Sequence, residues 1–198
     1  MHNFYIWFTT GIGHIADWKG YDHILFLFVL CGVYPVYQWK KVLINITAFT
    51  IGHSLTLVLS VLNIIKINTS LVEFLIPVTI IITSLVNLKN WNPFNSENRK
   101  PVYWLACFFG LIHGLGFSTL LKEMLGAQQS VLLPLFSFNI GLEIGQLLIV
   151  ISVMIFSLAL TSILKIKQNN WNFFISSAVF GIAFLMALER LTDLINFK

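Results

Sequence analysis

Eight residues carry side chains able to hold a metal ion or a proton in an apolar setting: His14, Asp17, Asp22, His23, His53, Glu73, His113 and Glu143. Imidazole and carboxylate together suit borderline divalent metals, and the same groups can relay protons. Their spacing suggests helical faces. His14 and Asp17 are three apart and share a face, and Asp22 and His23 follow about one turn later. Asn139, Glu143 and Gln146 fall at i, i+4 and i+7, a polar stripe on an otherwise apolar segment. Ser54, Asn139 and Gln146 stand beside the expected ligands as hydrogen-bonding supports. Ser137, Gly141 and Gly145 step by four, as small-residue packing seams do. Gly110, Gly114 and Gly116 surround His113 and leave room for a neighbour or a ligand. Cys31 and Cys107 belong to no Cys-x-x-Cys motif, so neither a disulfide framework nor a zinc knuckle is expected.

The elements that position these residues follow from composition. Only 10% of the chain is charged and 57% is hydrophobic, with a mean hydropathy of +0.83. A soluble domain carries about a quarter charged residues. The 12 basic and 8 acidic residues could not clothe a soluble surface of this size. A cytosolic globular enzyme, a disordered chain and a nucleic-acid binder are excluded. The composition predicts one integral membrane domain over residues 1–198, an all-α polytopic bundle.

A spanning helix takes roughly 20 apolar residues, and the hydropathy pattern predicts about six. The first runs from about Phe4 or Gly20 to Tyr37, with Phe4 to Ala16 a bent extension, a re-entrant piece or a seventh span. The others run from about Val42 to Leu62, Ser70 to Leu88, Val102 to Leu121, Leu132 to Leu164 and Trp171 to Leu191. No cleavable signal peptide is expected, because a basic start is missing and Gly13, His14 and Asp17 interrupt the first apolar run. Trp7, Trp18, Trp39, Trp91, Trp104 and Trp171 flank the spans and read as an aromatic belt.

Orientation follows from the basic residues. The loops after spans one, three and five hold Lys40, Lys41, Lys89, Arg99, Lys100, Lys165 and Lys167; the other side holds Lys19, Lys66, Lys122, Arg190 and Lys198. Seven against five predicts both termini outside. With that topology and about 1.5 Å per residue, every ionisable group named above falls in the outer half of its span, as does Glu189. A charge inside a bilayer costs about 2.5–3.5 kcal/mol on insertion scales. Their common depth predicts one polar, metal-binding site opening to the outside. Phe49-Thr-Ile-Gly-His53 and Phe109-Gly-Leu-Ile-His113 also echo one another, each followed by a segment with a glutamate.

The ordered motifs resemble a known family. Gly13-His14-x-x-Asp17 and Tyr21-Asp22-His23-Ile-Leu-Phe come first, then Phe49-Thr-x-Gly52-His53-Ser54-Leu-Thr-Leu and Val72-Glu73. Phe109-Gly-Leu-Ile-His113-Gly-Leu-Gly-Phe117 and Phe138-Asn139-x-Gly141-x-Glu143-x-Gly-Gln146 complete the set. Together they resemble the HupE/UreJ family of bacterial membrane proteins. The resemblance implies a hydrogenase- or urease-accessory type of protein, some of whose relatives are nickel permeases, in a bacterial cytoplasmic membrane. The His-Pro-His opening of hydrogenase-linked members is missing here, which leaves nickel itself open. The imidazole and carboxylate set suits a divalent metal such as nickel, cobalt, zinc, iron or manganese better than copper(I), with nickel, cobalt or zinc expected first.

Three functions are expected in order. The first is a divalent-metal permease or metal-delivery protein. The second is an intramembrane metal-dependent hydrolase of a lipid-like or acylated substrate, with Glu73 or Glu143 as general base. The third is an assembly partner without turnover. The expected partners are the bilayer and the metal ion, with no nucleic acid; a homo-oligomer and a metalloenzyme-maturation partner are both left open.

Overall fold

The computed structural model describes residues 2–18, 20–65, 68–89, 102–126 and 131–196. Its elements are α1 (His2–Ile15), α2 (Asp22–Cys31), a 3-10 turn (Val36–Gln38), α3 (Trp39–Val61), α4 (Thr69–Lys89), α5 (Tyr103–Leu125), α6 (Leu132–Ser162) and α7 (Gln168–Asn196). No strand occurs among the described residues. Helices α3 to α7 are each long and apolar enough to cross a bilayer. The chain is a multi-pass membrane protein built as a helical bundle.

The first predicted span is divided. Helix α1 has 14 residues and α2 has 10, roughly 21 Å and 15 Å long. Neither alone crosses a hydrocarbon core of about 30 Å. Both run the same way, so together they make one broken crossing. Their directions are fixed by close contacts. Gly141 of α6 faces the Phe8 backbone and Gly145 faces Ile12 and Ile15, so α1 runs parallel to α6. The Asn87 amide of α4 donates to the Val29 carbonyl at 2.7 Å, and Asp22 shares a cavity with Glu73, so α2 runs parallel to α4. The break, residues 16–21, carries Asp17 and Gly20, and both line that cavity. Irregular backbone at membrane depth is tolerated where it borders such a space.

Two seams hold the bundle. Helices α3 and α5 run parallel with their backbones in contact. A side chain at Gly52 would strike the Cys107 carbonyl, and at Gly110 or Gly114 the carbonyls of Phe49 and His53. The two echoing His-bearing segments are therefore side by side. Helices α1 and α6 meet the same way through Gly11, Gly141 and Gly145. Helix α4 is antiparallel to α5 and α7: Thr79 stands by His113, and Glu73 by Arg190. Side-chain bonds join α3 to α6, Thr50 to Gln146 and Ser54 to Asn139, each at 2.7 Å. Phe26, Phe49, Phe109 and Phe138 fill the centre, fully buried.

The expected aromatic belt is partial. Trp18, Trp39 and Trp104 are exposed, but Trp7 and Trp171 are buried. Trp171 Nε1 donates to the Gly32 carbonyl at 3.1 Å, tying α7 to the end of α2. An indole N–H that finds an internal acceptor gains nothing by staying at the interface. Trp91 lies outside the described residues.

Candidate metal centre

The break between α1 and α2 puts two histidines at the middle of the bundle. His14 ends α1 and His23 sits in the first turn of α2, their ring centroids 4.7 Å apart. His53 approaches from α3, 5.9 Å from His14 and 6.1 Å from His23. One ring nitrogen from each of these three lies within 4.8 Å of the others. His113 on α5 stands 5.1 Å from His23. Its Nε2 lies 3.1 Å from the Thr79 hydroxyl.

The surroundings leave the imidazoles ready to ligate. Asp22 Oδ1 lies 2.9 Å from His23 Nδ1 and accepts the His23 backbone N–H at 2.7 Å. With Nδ1–H donating there, His23 Nε2 presents its lone pair. His14 Nε2, His23 Nε2 and both nitrogens of His53 are shielded and without a hydrogen-bond partner, as is His113 Nδ1. Buried polar atoms are almost always paired, so several orphans at one point call for a ligand. Nitrogens bound to one ion at about 2.0–2.1 Å stand roughly 3–3.5 Å apart. A separation within 4.8 Å closes to that by small rotations of the rings. The donor set fits a borderline divalent cation such as nickel, cobalt or zinc, and among the described residues no cysteine joins it.

A cavity of about 480 Å³ leads to the cluster. Asp17, Asp22 and Glu73 line its walls, and His14, His23 and His113 its depth. His53 does not line it and stands behind the other rings. Arg190, which sequence marks only as one of the basic residues that set orientation, also lines it and holds Glu73 Oε2 at 2.9 Å. The cavity opens at the end of the bundle where α3 and α5 finish and α4 and α6 begin. Phe117 and Phe138 pack on His14, at 3.7 and 5.8 Å between centroids.

The predicted site residues therefore separate. His14, His23, His53 and His113 converge, with Asp22 on His23. Asp17 and Glu73 belong to the cavity wall. Glu143 is exposed on α6 and does not line the cavity, and Glu189 is exposed near the end of α7. Ser54 bonds to Asn139 and Gln146 to Thr50, which joins α3 to α6. These bonds fix the rotation of α3, from Thr50 one turn before His53 and from Ser54 directly after it. Thr79 is a contact that depth alone could find, since it lies six residues, a little under two turns, below Glu73 on α4, but its pairing with His113 needs the fold.

A family model described as HupE / UreJ protein matches residues 1–190. No curated protein and no solved structure matches the chain.

Proposed function

The chain belongs to the HupE/UreJ family, and from that premise we propose that it is a divalent-metal permease of a bacterial cytoplasmic membrane. The cavity faces outside in this reading, as the excess of basic residues in the opposite loops favours. The ion is substrate, not a resident cofactor. The observation that carries the reading is the set of shielded, unpartnered imidazole nitrogens on His14, His23 and His53 beneath an acid-lined cavity.

Asp17, Asp22 and Glu73 attract a hydrated cation and begin to replace its waters with carboxylate oxygens. Low-dielectric walls strengthen that attraction. The three imidazoles then take the ion as neutral donors. Neutral nitrogens hold a divalent ion less firmly than thiolates would, which suits a site that must release its cargo. Asp22 keeps the His23 ring turned and its Nε2 basic.

A hydrolase would need a carboxylate beside the ion to act as base. Of the two glutamates expected as that base, Glu73 is held by Arg190 and Glu143 lies outside the cavity. An apolar cavity of about 650 Å³ between α2, α6 and α7 has none of the histidines in its lining. Transport is the reading these positions favour.

The deciding experiment is uptake of labelled nickel or cobalt into proteoliposomes, with metal content measured on the same preparation. The proposal expects uptake by the wild type and its loss in His53→Ala. Correct insertion without uptake of nickel, cobalt or zinc would overturn it.

A further inference from the structure

Below His113 the centre of the bundle is closed by aromatic rings. Phe26 and Phe49 each stand 5.2 Å from the His113 ring and 4.9 Å from one another, and Phe109 lies 6.2 Å from Phe26. All three are buried. An ion leaving between α2, α3 and α5 would meet no donor there.

His113 Nε2 points elsewhere, to the Thr79 hydroxyl of α4. Continuing along α4, Thr83 and Ser84 are buried and Asn87 follows, at i+4, i+5 and i+8 from Thr79. Helix α7 runs antiparallel alongside, and its buried face carries Ser176 and Asn172. The Glu73–Arg190 contact sets the register. Fourteen residues on from Glu73 is Asn87, and fourteen back from Arg190 is Ser176, so the two stand at about one level.

Small polar residues between membrane helices are often only packing. Thr83 and Ser84 conform, each donating to a carbonyl of its own helix, of Thr79 and Ile80. Ser176 does not: it is 0% exposed and its Oγ has no partner. Asn172, 2% exposed, accepts from Gln168 Nε2 at 2.8 Å through its Oδ1, but its Nδ2 has no partner. A buried polar atom left unpaired is costly to hold in a folded protein. His113 Nδ1 is unpaired in the same way at the head of the seam.

Resting on the transport reading, we propose that the ion leaves the histidine cluster by way of His113 and Thr79. It then follows α4 past Thr83 and Ser84 to the level of Asn87, whose amide nitrogen is held by the Val29 carbonyl, and passes Ser176 and Asn172 on the buried face of α7, not the phenylalanine layer. The seam is closed in this structure. Its hydroxyl and amide oxygens replace waters of the ion as the two helices part, and the bundle centre stays sealed.

The test is a double variant, Ser176→Ala with Asn172→Ala, in proteoliposomes with labelled nickel or cobalt. Metal content and thermal stability are measured on the same protein. The route predicts wild-type metal content with uptake slowed about tenfold or more, the factor for a lost polar partner of an ion. A seam that is only packing predicts the reverse: Ser176→Ala, which removes an unpaired hydroxyl, raises thermal stability by itself, and the double variant leaves uptake unchanged, which would overturn the route. Ser152→Leu, on an exposed face of α6, is the control and keeps wild-type uptake. Should Ser176→Ala and Asn172→Ala lose metal content, they act on the cluster and not on a route beyond it, and the route is again overturned. A wild type that binds metal but moves none removes the transport reading itself, a result distinct from all of these.

Discussion

One oxygen of Asp22 holds both the Nδ1 and the backbone nitrogen of His23, at 2.9 and 2.7 Å. That double contact fixes the ring at the start of α2 and commits its Nε2 to the cluster. Outer partners of this kind change metal affinity by about 10–100-fold when removed. Asp22→Asn keeps the shape but loses the charge, and metal affinity falls toward the lower end of that range; Asp22→Ala falls toward the upper end. Equilibrium titration of the purified protein with nickel or cobalt measures both. Equal affinities in the wild type and both variants would show that the carboxylate does not hold the ring for a metal.

The four histidines are not equivalent. His14, His23 and His53 bring nitrogens within 4.8 Å of each other, while His113 is turned to Thr79. Alanine at any of the first three removes a direct ligand and lowers affinity by about 100-fold or more, beyond the loss of an outer partner. His113→Ala retains bound metal and loses uptake. Metal analysis beside a transport assay separates the two groups. Loss of metal in His113→Ala to the same degree as in His53→Ala would make the cluster a four-histidine site.

Glu143 is at the right depth and on the wrong azimuth. Around a helix it projects roughly 40° from Asn139 and 60° from Gln146. Those two reach α3, and Glu143 is exposed beside them. Glu143→Gln therefore leaves metal content and affinity as in the wild type. A tenfold weaker affinity in that variant, read by the same titration, would bring Glu143 into the site.

The same residue marks what sequence can give. Depth follows from counting along a helix, so the common level of His14, His23, His53 and His113 was legible before any fold. So were the spans α3 to α7, whose apolar lengths leave no other structure in lipid. Rotation about each axis depends on what packs beside it, so the outward turn of Glu143 and the pairing of Glu73 with Arg190 were not legible. The break at residues 16–21 was half visible. Asp17 and Gly20 spoil a helix there, but only the α1–α6 seam shows that α1 still counts as half of a crossing.

The α3–α5 seam leaves no room for a side chain. The obstacles to a Cβ at Gly52 and Gly114 are backbone carbonyls, of Cys107 and His53, which cannot swing aside as a side chain would. Overpacking costs typically about 1–3 kcal/mol, and rigid neighbours place these sites at the upper end or beyond. Gly114→Val lowers the thermal midpoint in detergent and also weakens metal binding, because the carbonyl it strikes belongs to His53. Gly181→Val, where nothing lies within 4 Å of a Cβ, does neither. Equal midpoints for the two variants would remove the seam as a determinant of the site.

Glu73 and Arg190 face one another at 2.9 Å across the cavity wall, with 42% and 44% of their side chains exposed. Such exposed pairs contribute about 0–1 kcal/mol, so neither partner matters much to stability. Their effect is on the field inside the cavity. Arg190 cancels one of the three carboxylates there, and Arg190→Ala restores that charge for an incoming cation. Glu73→Gln does the opposite and leaves a guanidinium unpaired beside the path. Initial rates of metal capture rise in Arg190→Ala and fall in Glu73→Gln, while affinity at the histidines, which neither residue touches, changes little. Charges separated from the ion by more than a Debye length, about 8 Å at physiological salt, are largely screened. Both rate changes therefore shrink as ionic strength is raised. Stopped-flow capture at low and high salt measures this, and rates indifferent to both substitutions at low salt would show that the ion reaches the histidines by another path.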